Sequence, residues 1–235
     1  MDVRFERDGK AFVVIDTAGI RKERVVHGGV DFYAQRRAER AMRRADVSAI
    51  VLDATSDVSR LDRSIAGYAL DHHHPVLIVV NKWDLRPQDL TTSQFAKYVR
   101  ATLRGLTYAP IVYTTATDGR NVDAVIDVAR GLFRQAATRI KTAQLNKAIE
   151  AAQQKRHPRP YHGRVGQIYY GTQVEERPPT FVLFVNDPTL FDSTYRRYLE
   201  NQFRATLPVP EVPLRIFFKA RDRRPSKNAL GPLPE

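Results

Sequence analysis

The chain has 235 residues, 43% of them hydrophobic and 27% charged, with no cysteine and a formal net charge of +12. This length and composition suit one large or two small domains with real cores and exclude global disorder, while the lack of cysteine excludes disulfide partners, thiolate metal sites and a Cys nucleophile. No apolar run approaches the roughly 18 residues that span a membrane, and the polar start does not read as a secretory signal. The expectation is therefore a cytoplasmic protein without a membrane partner. Its 38 Lys+Arg against 26 Asp+Glu favour a polyanionic partner such as nucleic acid, because neutralising phosphates releases counterions.

In chain order, "DVRFER" (2–7) and "AFVVID" (11–16) flank Asp8-Gly9, the pair that a type I′ hairpin turn prefers. Ala34, Ala38, Ala41, Met42 and Ala45 recur at helical spacing over 31–45 and predict a helix with Arg36, Arg40, Arg43 and Arg44 on its other side. That arginine face suits either RNA or simple solvation beside Glu39. Three apolar runs follow, "VSAIVLDA" (47–54), "PVLIVVN" (75–81) and "APIVYTT" (109–115), separated by helix-length segments at 60–71, 91–104 and 121–137. Val/Ile-rich strands alternating with helices predict a parallel sheet buried on both faces, with ligands at the carboxyl ends of its strands.

After about residue 138 the pattern becomes α-β-β-α-β. Leu145, Ala148, Ile149 and Ala152 mark a helix broken by "KRHPRP"; "QIYYGTQV" and "TFVLFVN" read as strands. A second helix begins near Asp192-Ser193, and "PLRIFFKA" is a last strand. This order predicts a small α+β domain with helices on one face of a three-stranded sheet. Residues 223–235, basic and Pro-containing, read as a disordered tail.

Two motifs carry chemistry. "NKWD", Asn81 to Asp84, directly follows an apolar strand. The Asp84 carboxylate can accept from N1–H and N2–H₂ of guanine, a pairing that adenine cannot offer, so the motif discriminates strongly. Lys82 can lay its stem along the base, and Asn81 can tie neighbouring loops together. The run "VVIDTAGI" (13–20) ends in a D-x-x-G, which is weak alone; after a strand and in this order, it joins "NKWD" as one candidate site for guanine nucleotide.

The segment from "DTAGIRKERVVHGGVDFYAQRRAERAMRRADVSAIVLDAT" through "NKWD" to "RPPTFVLFVNDPTLFDSTYRRYLENQFR" resembles the Der (EngA) family of bacterial GTPases. The match is to their second GTPase domain from D-x-x-G onward and their C-terminal KH-like domain. The resemblance implies an α/β, Ras-like P-loop GTPase domain at 1–137 and a KH-like domain at 138–222. It also implies GTP/GDP and Mg²⁺ as cofactors, and a role in ribosome biogenesis with rRNA and the large ribosomal subunit as partners. It implies that Asp16 holds magnesium through water and that the Gly19 N–H meets the γ-phosphate. Residues 19–30 would be a mobile switch, and Thr115-Ala116 would stand beside guanine, a backbone N–H making the contact.

The phosphate-cradling G-x-x-x-x-G-K-[ST] occurs nowhere in 1–235. The expectation is an incomplete GTPase domain lacking the P-loop strand, with no assigned catalytic residue and little or no GTP hydrolysis. A nucleotide-incompetent rRNA-binding module is the alternative, and a nonfunctional fragment a third reading. His72–His74 read as an exposed turn rather than a metal site. Gly163-Arg164-Val165-Gly166 spells G-x-x-G but precedes a strand, so its match to an RNA-clamping loop reads as accidental. Asp53, Asp57 and Asp62 read as caps and turns.

Overall fold

A computed structural model describes residues 2–15 and 30–221, with the backbone alone over 30–34. Two units form: Met1–Thr138 with Val209–Pro213, and Arg139–Pro208 with Leu214–Glu235. The tail at 223–235 lies outside the described residues.

In the first unit, strands β1 (Asp2–Arg7) and β2 (Lys10–Ile15) form an antiparallel hairpin in a sheet of their own. Asp8 and Gly9 have φ of 52° and 67°, the two left-handed residues that a type I′ turn requires. Phe5 and Phe12 face each other across the ladder and stack at 5.3 Å.

Helix α1 (Val30–Arg44) buries Ala38 and Met42. Arg43 donates to the Tyr68 hydroxyl at 2.9 Å, and Arg44 pairs with Asp2. The Glu39 carboxylate accepts from Gln35 instead.

A parallel sheet then runs β3 (Ser48–Asp53), β4 (Val76–Asn81), β5 (Ile111–Tyr113) in that order, with α2 (Arg60–Asp71), α3 (Thr92–Thr102) and α4 (Val122–Ala136) between and after its strands. Capping boxes start two of these helices, Ser59 with Asp62 and Thr91 with Gln94. The hairpin is tied to α4 by Arg7 on Asp123 and Asp127, and by Arg130 on Asp8.

The expectation of a sheet buried on both faces holds for β4, whose Val76 to Val80 are all buried. It fails at β3, where Ile50 and Leu52 are buried but Val51 is 60% exposed. The reason is position: β3 is an edge strand, and its second face has no covering helix among the described residues. The histidine turn also differs from expectation at one residue. His74 turns inward, its Nε2 2.9 Å from the Ser48 hydroxyl, and burial lowers its pKa from 6.5 to about 4.

The second unit follows the predicted α-β-β-α-β order as α5 (Thr142–Lys155), β6 (Ile168–Glu175), β7 (Thr180–Val185), α6 (Ser193–Thr206) and β8 (Arg215–Ala220). Its sheet has the order β6-β7-β8, antiparallel then parallel. Leu145 and Ile149 of α5, Leu199 and Phe203 of α6, and Phe181 and Leu183 of β7 fill the space between helices and sheet. Asp192 caps α6 by accepting from the Tyr195 N–H.

The amide side chains of α5 close the outer edge of β6. Asn146 accepts from the Gly171 N–H at 2.7 Å, and Gln153 both accepts from the Ile168 N–H and donates to its carbonyl. Gly166 sits where a Cβ would stand 2.7 Å from Pro158 and 2.9 Å from Phe191, so packing accounts for one glycine of the G-x-x-G spelling.

Candidate functional site

Strands β3, β4 and β5 run in one direction, so Asp53, Asn81 and the residues after Tyr113 arrive at the same end of the sheet. Asn81 is the hub. Its Oδ1 accepts from the Thr114 hydroxyl at 3.0 Å and from the Ala116 N–H at 3.1 Å. Backbone bonds run beside it, Thr114 N–H to Val80 O at 2.8 Å and Trp83 N–H to Thr114 O at 3.1 Å. The "NKWD" loop and the loop after β5 are thereby fixed to each other. Thr114 and Thr115 are buried, and Ala116 is exposed.

Lys82 follows with φ of 59°, a left-handed conformation that a residue with a Cβ adopts only when its surroundings hold it there. Neighbours on both sides do so. Trp83 packs on Tyr113 at 4.3 Å and on Phe95 at 5.6 Å, while the Arg86 guanidinium lies 4.7 Å above its indole and donates to its carbonyl. The variable position of the motif is thus the anchor of the loop. Periodicity gave no sign of this, although a large aromatic between two charged positions is a signal of burial in hindsight.

The Lys82 ammonium donates to Asp53 Oδ2 at 2.7 Å, and the other oxygen of Asp53 accepts from the Thr55 N–H and hydroxyl. Partial burial alone would raise the Asp53 pKa. The hydrogen bonds from Lys82 and Thr55 outweigh it and hold the carboxyl at about 2, below its ordinary 3.8. The sequence reading of Asp53 as a turn residue covers the Thr55 bonds and misses Lys82. Asp62 completes the capping box of α2 by accepting from the Ser59 N–H, and Asp57 accepts from the Tyr98 hydroxyl.

Asp84 is the middle residue of a one-turn 3₁₀ segment, Trp83–Leu85, is exposed, and its side chain makes no hydrogen bond or ion pair among the described residues. Its acceptors face water at the end of the sheet where Asn81, Lys82, Thr115 and Ala116 also gather. Asp16 and Gly19 lie outside the described residues. Among the described residues no group of three His, Asp or Glu side chains has the arrangement of a metal site, and no helix is long and apolar enough to cross a membrane.

Comparison with known proteins fits this geometry. Residues 1–82 match a family described as 50S ribosome-binding GTPase, and residues 139–219 match the KH-domain-like, C-terminal domain of EngA bacterial GTPase enzymes. GTPase Der of Rhodopirellula baltica is 42% identical over 227 residues, 97% of this chain and 50% of that protein. GTPase Der of Heliobacterium modesticaldum is 39% identical over 224 residues, 95% of this chain and 51% of that protein. The chain spans about half the length of the curated relatives it matches. Among solved structures, Era in complex with MgGDPNP and a 16S ribosomal RNA segment aligns over 94% of this chain and 80% of that one, with a TM-score of 0.44 and 14% identity. With Der proteins matching nearly its whole length and an EngA-type domain at its C-terminal side, the chain is a homologue of the Der/EngA GTPases, built of GTPase-type α/β structure followed by a KH-like domain.

Proposed function

We propose that this chain serves a Der-type, GTP-dependent switch in ribosome biogenesis, with guanine nucleotide read at the end of β4 and the large ribosomal subunit engaged through rRNA. The observation that carries the reading is the Asn81 hub, which fixes "NKWD" against Thr114–Ala116 and leaves the Asp84 carboxylate exposed with both oxygens open to a base. In this reading Asp84 accepts from the guanine N1–H and N2–H₂, and the Lys82 stem flanks the ring. Thr115-Ala116 forms the wall beside the base. The Ala116 N–H already donates to Asn81, so its share in base contact is a bifurcated one. Asp16 is assigned to magnesium and Gly19 to the γ-phosphate, which makes GTP/GDP and Mg²⁺ the expected cofactors. When bound, magnesium would neutralise phosphate charge during attack by water. The GTPase portion is assigned to 1–137 and the KH-like portion to 138–222. A net charge of +12 supports an rRNA partner and a cytoplasmic location.

The test replaces Asp84 by Asn in the chain joined to the remaining half of a Der relative. One acceptor becomes a donor, so guanine loses a partner and xanthine, with a carbonyl at position 2, gains one. Preference measured with fluorescent nucleotides should move toward xanthosine by roughly 10²-fold or more, the scale of an unpaired buried polar group. Undiminished preference for GTP would remove "NKWD" from the base pocket. Co-sedimentation of the same protein with large subunits, falling steeply as salt rises, tests the ribosomal half of the proposal.

A further inference from the structure

The β6-β7-β8 sheet packs its helices on one face, and the other face carries an unusual set of side chains. On β8, "RIFFKA" alternates, so Arg215, Phe217 and Lys219 point away from buried Ile216, and Arg221 follows the strand. Phe217 is 50% exposed. The strand register places Val182 beside Phe217, Phe184 beside Lys219, and Tyr170 beside Phe184. Tyr170 and Phe184 stack at 4.5 Å with 18° between ring planes, yet Tyr170 remains 42% exposed. At the end of the strip the Arg221 guanidinium lies 5.3 Å over the Tyr169 ring. Neither Arg215 nor Lys219 forms an ion pair among the described residues.

Exposed rings interleaved with cations on a sheet face match what an unpaired polynucleotide needs. Each base has a π-face that stacks on an aromatic ring, and each phosphate seeks a cation nearby. An apolar protein partner would be met poorly by a strip in which the outward residues on both sides of Phe217, Arg215 and Lys219, are cationic. From this charge complementarity we infer that the exposed face of the β6-β7-β8 sheet is a docking platform for single-stranded RNA, with Phe217 and Tyr170 stacking bases and Lys219 and Arg221 pairing with phosphates. This rests on the proposed ribosome-directed function and names the surface and the RNA conformation it takes. The surface uses none of the candidate nucleotide-site residues and none of the G-x-x-G spelling at 163–166.

The experiment uses the full chain and two fluorescein-labelled probes, a 12-nucleotide mixed-sequence single-stranded RNA and a blunt RNA duplex of the same length, followed by anisotropy. Phe217→Ala should weaken single-strand binding about tenfold, Phe217→Trp should restore it, and neither should alter duplex binding, because stacking needs unpaired bases. Lys219→Gln should weaken both probes modestly and reduce the salt dependence by about one released counterion. It is exposed and leaves the core intact, so it carries the test if Phe217→Ala unfolds by circular dichroism. Single-strand binding that ignores Phe217→Ala, a Phe217→Ala loss equal on single strand and duplex, or single-strand binding and salt dependence that both ignore Lys219→Gln, overturns the platform while leaving an RNA-binding chain. Absence of binding by the unsubstituted chain to either probe defeats the ribosome-directed reading as well. A photocrosslinker at position 217 that captures protein rather than RNA from purified large subunits also overturns the inference.

Discussion

Lys82 and Asp53 are 29 residues apart in sequence and 2.7 Å apart in space, joined because the last residues of β3 and β4 lie side by side in parallel register. The pair presets the left-handed Lys82 of the candidate base pocket. Both side chains retain solvent contact, 53% for Lys82 and 32% for Asp53, so the direct energy is about 0.5–1 kcal/mol. Its larger role is geometric. Because folding lowers the Asp53 pKa to about 2, the stabilisation is fully present above pH 4 and is lost as pH falls from 4 toward 2. Asp53→Asn should remove that acid-range slope from urea unfolding curves and leave the fold intact at pH 7. An unchanged slope would show that the pair contributes nothing.

His74 titrates in the opposite sense from a paired histidine. Burial holds its folded pKa near 4, below the ordinary 6.5, so the folded state prefers the neutral ring. Its contribution is complete above pH 6.5 and declines as pH falls toward 4, because the unfolded chain takes up the proton first. The first unit should lose about 2 kcal/mol across this interval. His74→Gln, which can keep a bond to Ser48, should flatten the dependence measured by thermal unfolding at pH 7.5 and pH 5. A persisting decline of the same size would assign it to other groups.

Asn81→Ala removes the acceptor of two donors at once, the Thr114 hydroxyl and the Ala116 N–H. Leaving them unpaired should cost about 1–3 kcal/mol. Thr114→Val should cost less, since it deletes donor and acceptor demand together at a buried position. Amide hydrogen exchange at 113–118 should accelerate in the first variant and hardly change in the second; equal effects would contradict the hub.

Gly166→Ala places a methyl against the Pro158 ring and the buried Phe191 ring, neither of which can swing aside. The second unit should lose about 1–3 kcal/mol in chemical denaturation. Gly163→Ala, with nothing within 4 Å of the added Cβ, tests backbone strain alone at φ of 73°. A larger loss there would mean that conformation rather than space selects glycine in this loop.

The element order was legible because its signals are local. Asp8-Gly9 announced the hairpin, Val76 to Val80 a buried strand, and Asp192 a helix start, each from neighbours in the chain. Spacing and hydrogen-bonding chemistry nominated Asn81, Lys82 and Asp84 as candidates, and the loop-tying expected of Asn81 is seen in its bonds to Thr114 and Ala116. What the sequence hid depends on register and burial. Asp53 meets Lys82 only through strand pairing, Trp83 becomes an anchor only once Tyr113 and Phe95 arrive beneath it, and Val51 is exposed because its face of β3 is uncovered among the described residues.

The amide caps that α5 places on β6 have a consequence for how this protein meets others. A sheet edge with free backbone groups invites another strand, from a second copy or from a misfolded neighbour. Here Asn146 and Gln153 occupy those groups at Gly171 and Ile168, so a visiting strand finds side-chain amides where it needs a ladder. On the opposite edge, β8 carries Arg215 and Lys219, with Arg221 just after it, and two such edges brought together would oppose like charges. Where copies of the domain meet, it is guarded against self-templating by hydrogen-bond saturation on one side and by repulsion on the other.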